Sequence, residues 1–358
     1  MFTQPELTTG TNAYRATTSS ALVGIDRLGA PAACRRRMNV RRAGYVERTI
    51  ITSDGVRLAV RDYGAADAPD HTVVLLHGLC LTQSSWALQV RHLVRRWGNR
   101  VRIITYDHRG HGDSTGADMH TYRIDRLAAD LADVLTTLHV TGPLTLAGHS
   151  MGGMTALAYL GRPAADRPVE PQGLVLAATA AGRLAERGLG RLLAGRATGL
   201  LFNLVHRMPR RATDQAFSGL VRPVWQGLAK YFGAAPNGAA AVSASPVHTV
   251  SLTTAVGFLP GLKQYDQYPA LAAISANTIV ISGGADITTP AEHARDLVAG
   301  IPNATHVHRP TAGHMLIEEE AQCVSNAIDR VMGMHRREPL WQMRNPGAGL
   351  SAVIAAAS

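Results

Sequence analysis

Hydrophobic positions along this chain recur with two periods that alternate. Residues 72–76, 101–106, 144–147, 173–177 and 278–282 form short, nearly continuous apolar runs, and 305–308 is a weaker one. Runs of that length suit parallel strands buried on both faces of a sheet. Between them the spacing changes. Ile124, Leu127, Ala128, Leu131, Leu135 and Leu138 share one helical face, with Asp125, Asp130 and Asp133 assigned to the polar side. Residues 45–52 and 56–63 read as two further strands joined by Ser53-Asp54-Gly55, a hairpin signal. This alternation predicts an α/β fold: a mostly parallel eight-stranded sheet with helices on both faces.

Three stretches fall outside the alternation. Residues 1–44, rich in Thr, Ser, Ala and Arg, are expected to be a disordered basic arm, and 338–358 a flexible tail. Residues 183–262 mix helical pieces with Gly and Pro breaks. They are expected to form a helical cap inserted into a core made of 45–182 and 263–337. The net charge of +10 follows the same division. Residues 1–48 carry eight Arg against three acids, and 183–263 carry eight Arg and two Lys against two acids. A basic excess confined to two segments points to local attraction to anionic surfaces, not to a nucleic-acid partner. No zinc-finger or RNA-recognition signature is present. No apolar run approaches the ~18–20 residues of a membrane span. Cys34, Cys80 and Cys323 lie far apart, giving neither a disulfide framework nor metal spacing and favouring a reduced, cytoplasmic setting.

The chemistry concentrates in the turn after residues 144–147. Gly148-His149-Ser150-Met151-Gly152-Gly153 stands between an apolar strand and a helical stretch, the setting of a G-x-S-x-G nucleophile elbow. A turn this sharp strains the backbone of its central residue and leaves room only for Gly beside it. It lifts the Ser150 hydroxyl clear of the sheet. It also puts the Met151 N–H at a helix N-terminus, where it can donate to an oxyanion. Asp286, in Gly283-Gly284-Ala285-Asp286, follows the run 278–282. On its own it also admits the plainer reading of a cap before Thr288, Thr289 and Pro290. Gly313-His314-Met315 follows the last run. His77-Gly78-Leu79-Cys80 follows 72–76, and Tyr106-Asp107-His108-Arg109-Gly110-His111-Gly112-Asp113-Ser114 includes the end of 101–106.

In these motifs and their order, from about Tyr45 to Met334, the chain resembles the α/β-hydrolase superfamily, in its cap-bearing, esterase- and lipase-like serine hydrolase branch. The resemblance implies Ser150 as nucleophile, His314 as base and Asp286 as the acid that orients it. It implies the Leu79 and Met151 N–H groups as the oxyanion hole. Ser is a poor nucleophile until a neutral imidazole takes its proton, and the carboxylate fixes the imidazole tautomer. No cofactor or metal is required. Asp107, His108 and His111 are expected to fix their loop, and Cys80 to pack in the core. Ser at position 150 argues against epoxide hydrolases and haloalkane dehalogenases of this fold, which carry Asp there. The expected substrate is a small acyl compound: a carboxylic ester, thioester or lactone. C–C bond hydrolysis, cofactor-free haloperoxidase or perhydrolase activity, and slow-turnover ligand binding are the alternatives.

Arg183, Arg187 and Arg191 recur every four residues among leucines, which predicts a basic amphipathic helical face. It reads either as peripheral contact with an anionic membrane or as a lid whose Arg side chains are solvated. Gly188, Gly190, Gly195 and Gly199 weaken the helix and favour the lid.

Overall fold

The apolar runs do form strands. A computed structural model describes residues 41–42, 44–64, 69–188, 191, 195–207 and 251–333. Its strands are β1 (Arg41–Arg42), β2 (Tyr45–Ile51), β3 (Arg57–Tyr63), β4 (His71–Leu76), β5 (Val101–Tyr106), β6 (Leu144–His149), β7 (Gly173–Ala177), β8 (Asn277–Gly283) and β9 (Ala304–Arg309). They form one sheet in the order β1-β2-β3-β5-β4-β6-β7-β8-β9. The pairs from β5 through β4, β6, β7 and β8 to β9 are parallel, and those joining β1, β2, β3 and β5 are antiparallel. The sheet exceeds the expected eight strands by β1, which pairs Arg41 with Val46 and Arg42 with Tyr45. Two residues assigned to the arm thus extend the ladder. A strand that short has no period to detect. The arm up to residue 40, the tail from 338 and residues 208–250 of the expected cap lie outside the described residues.

Helices cover both faces: α1 (Ala87–Trp97), α2 (Ile124–Thr137), α3 (Met151–Leu160), α4 (Arg196–Arg207), α5 (Leu252–Gln264), α6 (Ala291–Gly300), α7 (Leu316–Glu319) and α8 (Ala321–Val331). All six residues of β4 are buried, and its side chains alternate between two cores, as the pleat requires. Val74 and Leu76 share one core with Leu127, Leu131, Leu157 and Leu297 of α2, α3 and α6. Val73 and Leu75 share the other with Val90, Leu93 and Trp97 of α1 and Val324 and Ile328 of α8.

Asp130 corrects the reading of α2. It is fully buried, not on a polar face. Its carboxylate accepts two hydrogen bonds from the Arg109 guanidinium, at 2.6 and 2.8 Å. Arg109, itself fully buried, also holds Asp54 at 3.0 and 3.1 Å. This network staples the loop after β5 to α2 and to the β2–β3 hairpin. Breaking a buried pair strands an uncompensated charge. Arg109→Met should therefore lower unfolding stability by about 3–5 kcal/mol, measured by urea denaturation at neutral pH.

The basic helical face is also corrected. Leu184–Glu186 is a single 3-10 turn, entered by Arg183 at φ 55° and left by Arg187 in an extended conformation. Gly188 then takes φ +55°. Arg183 and Arg187 do not share a helical face, because the backbone between them is a single 3-10 turn, and each of the three arginines has its own partner. Arg187 pairs with Asp296 of α6 at 2.8 Å, Arg183 lies 4.7 Å from the Tyr268 ring centroid, and Arg191 donates to the Glu186 carbonyl at 2.9 Å. Further on, α4 and α5 pack on each other. Phe258 of α5 rests on Tyr122, ring centroids 5.1 Å apart. Among the described residues, no helix is long and apolar enough to cross a membrane.

Candidate active site

Ser150 sits between β6 and α3 with φ 52° and ψ −118°, a left-handed region that costs a non-glycine residue about 1–3 kcal/mol. The surroundings over-determine it. Its N–H donates to the Ala177 carbonyl at 2.9 Å. Its carbonyl accepts from the Gly153 N–H at 2.9 Å, the Met154 N–H at 3.1 Å and the Thr179 hydroxyl at 2.7 Å. The flanking glycines are required by space. A Cβ at Gly152 would collide with the Leu76 carbonyl of β4, and one at Gly148 with the backbone of Gly152 and Gly153.

Asp286 and His314 lie past the ends of β8 and β9 and converge on this turn. His314 Nε2 lies 3.0 Å from Ser150 Oγ, and His314 Nδ1 lies 2.8 Å from Asp286 Oδ2. A carboxylate only accepts, so Nδ1 carries the proton and Nε2 is bare toward the hydroxyl. The two oxygens of Asp286 face different partners, and neither caps the helix that follows, whose N-cap is Pro290. Asp286 Oδ1 accepts from the Thr288 and Thr289 N–H groups at 2.8 and 2.9 Å, while Oδ2 serves His314. Burial opposes its ionisation. The neighbouring His314 imidazole and the hydrogen bonds from His314 and Thr289 outweigh burial, and its pKa falls below the ordinary carboxylate value. Asp286 is buried and His314 nearly so, whereas Ser150 is half-buried and reachable.

Met151 opens α3 directly after Ser150, where helix N–H groups lack intrahelical acceptors. Leu79 follows Gly78, where a Cβ would stand 3.2 Å from that of Ser150. The loop after β4 thus runs against the hydroxyl-bearing turn. Asp107 fixes its loop, as expected. It accepts from the Gln83 N–H at 2.7 Å, the Gln83 side chain at 3.1 Å and the Asp113 N–H at 3.0 Å. Burial pushes the Cys80 thiol up to about 12, but Cys80 is half-buried and joins neither core cluster, so it does not pack in the core as expected.

Two residues of the site were not singled out from the sequence. The Thr289 hydroxyl donates to Asp286 Oδ2 at 2.8 Å and so braces the carboxylate that holds His314. Its spacing three residues after Asp286 was a signal only for a cap. His149 donates from Nε2 to the His314 carbonyl at 2.8 Å, with the two rings 5.1 Å apart. Nothing in the elbow sequence indicates that contact.

The arrangement is a hydroxyl, an imidazole and a carboxylate in series at the ends of three parallel strands. The chain matches the α/β hydrolase fold family over residues 71–321, and it belongs to that family. A non-heme chloroperoxidase of Kitasatospora aureofaciens is 38% identical over 111 residues, 31% of this chain and 37% of that protein. A bifunctional esterase/perhydrolase of Acinetobacter calcoaceticus is 35% identical over 123 residues, 33% of this chain and 39% of that protein. The matched segments thus span well under half of these relatives' length. Among solved structures, a hydrolase from Pseudomonas aeruginosa superposes with a TM-score of 0.60 at 26% identity, covering 80% of this chain and 98% of that one.

Proposed function

We propose that this protein is a serine hydrolase that cleaves a carboxylic ester, thioester or lactone through an acyl-enzyme on Ser150. The observation that carries this reading is the hydrogen-bonded series from Ser150 Oγ through His314 to Asp286, at 3.0 and 2.8 Å. Ser150 Oγ attacks the carbonyl carbon while His314 Nε2 takes the hydroxyl proton. The Leu79 and Met151 N–H groups hold the tetrahedral oxyanion. His314 then gives its proton to the leaving group. Water attacks the acyl-enzyme with His314 again as base, releasing the acid and free Ser150. Similarity to an esterase/perhydrolase supports this class of chemistry.

Steady-state hydrolysis of p-nitrophenyl esters from acetate to palmitate tests the proposal. Turnover with a single optimum in acyl length is expected, together with covalent labelling of Ser150 by an alkyl phosphonate. Absence of both would overturn it. The similarity to the esterase/perhydrolase and the chloroperoxidase favours a second reading, perhydrolase or haloperoxidase chemistry on the same residues. Peroxide-dependent peracid formation that exceeds ester hydrolysis would select it. Peripheral attachment to an anionic membrane is a separate proposal. It rests on the basic excess of residues 183–263 and on Leu200, Leu201 and Leu204, which stand exposed on α4. Vesicle binding that does not weaken as salt rises would contradict its electrostatic part.

A further inference from the structure

We propose that His111 is a positioning residue that holds the Leu79 loop in the shape needed to bind an oxyanion. The inference rests on the serine hydrolase reading above and adds a residue to it. Cys80, directly after Leu79, has φ 62°, a conformation that persists only where neighbours impose it. Two hydrogen bonds impose it. One closes the loop on itself, from the Leu81 N–H to the Gly78 carbonyl at 3.2 Å. The other comes from outside, where the Cys80 N–H donates to His111 Nε2 at 3.1 Å. That N–H belongs to the peptide unit joining Leu79 to Cys80, so its bond fixes ψ of Leu79.

His111 is built for this task. Its Nδ1 lies 3.0 Å from the Arg109 carbonyl, which only accepts. Nδ1 therefore carries the proton and Nε2 presents a bare lone pair. The ring is fully buried. Burial first, then the neighbouring His77, push its pKa down to about 3, so it remains an acceptor at neutral pH. Phe258 of α5 packs on the ring at 5.8 Å between centroids, and His77 packs at 5.2 Å. The clamp is thus wedged between α5 and the loop it holds.

Two substitutions separate the clamp from simple packing. His111→Phe keeps an aromatic ring and removes the acceptor. His111→Gln places an amide oxygen near the position of Nε2 and restores one. His111→Phe should lower kcat on a p-nitrophenyl ester by about 10- to 100-fold, somewhat less than outright loss of an oxyanion donor, with KM little changed. Affinity for a trifluoromethyl ketone, whose Ser150 adduct carries an oxyanion, should fall by a similar factor. Hydrogen–deuterium exchange across residues 78–81 should accelerate. His111→Gln should recover most of all three. Wild-type kcat and ketone affinity in His111→Phe, or His111→Gln no better than His111→Phe, would overturn the proposal. If the wild-type protein proves to lack Ser150-dependent turnover, the hydrolase reading fails, and exchange at 78–81 then decides the clamp alone. Unchanged exchange in His111→Phe would end it.

Discussion

Ser150→Ala is expected to reduce kcat/KM for the best p-nitrophenyl ester by about 10⁴- to 10⁶-fold, with the fold intact. The size follows from what the substitution removes. Without the hydroxyl no acyl-enzyme forms, and only oxyanion stabilisation and substrate binding remain to assist attack by water. His314→Ala should cost about as much, because an unassisted hydroxyl does not attack a carbonyl at a useful rate. Asp286→Asn should cost about 10⁴-fold. An amide in that place can present N–H to His314 Nδ1, which favours the wrong tautomer. In the proposed mechanism the three residues act as a unit, so the Ser150→Ala/His314→Ala double variant should be no slower than the worse single. Multiplying losses in the double variant would contradict a shared mechanism. The measurement is steady-state kinetics on each variant, with thermal melts to exclude unfolding. Retention of activity in Ser150→Ala would sink the hydrolase proposal outright.

A steep loss of stability on acidification is the second large effect expected. His77, His111 and His149 are essentially buried, and burial first, with neighbouring histidines also acting on His111 and His149, lowers their pKa values from 6.5 to about 4, 3 and 3. His108 shifts in the same direction, and neither of its ring nitrogens has a hydrogen-bond partner among the described residues. His77, His111 and His149 each stay neutral in the folded chain and bind a proton in the unfolded one between those values and 6.5. The unfolded state therefore holds more protons in that window, and stability falls as pH drops through it. It is fully present above about pH 6.5, the ordinary imidazole value. The slope is about 1.4 kcal/mol per pH unit for each such histidine, so at pH 5 each costs about 2 kcal/mol. Asp107 and Asp130, which burial shifts upward, act in the opposite sense and offset part of the loss. A net loss of several kcal/mol is large against a typical total of about 5–15 kcal/mol. Urea unfolding at pH 7.5, 6 and 5 measures it. His108→Leu removes one titrating ring without breaking a side-chain hydrogen bond among the described residues, so it should flatten the slope. A pH-independent midpoint between pH 7.5 and 5 would refute the account.

The amphipathic helix over Ile124–Thr137, the strands of the parallel core and the elbow at Ser150 were legible in the sequence because local rules govern them. Burial on both faces demands continuous apolar runs, and a strained turn demands Gly where a Cβ would strike the neighbouring strand. The same rules put Asp286 and His314 just past strand ends, and the fold then brings His314 within hydrogen-bonding distance of Ser150, and Asp286 within hydrogen-bonding distance of His314. What depended on partners distant in the chain was not legible. Asp130 falls on the expected polar side of α2, and it is buried because Arg109 reaches it from the loop after β5. The spacing of Arg183, Arg187 and Arg191 suggested a helix that local backbone breaks and the pull of Asp296 and Tyr268 do not allow. Thr289 beside the carboxylate, His149 behind His314 and His111 beneath Cys80 took their roles from contacts that no period records. Periodicity and backbone sterics act between near neighbours in sequence, so they can be read along the chain. The identity of a buried polar group's partner is set by which strands become adjacent, and that follows from the packing of the whole sheet.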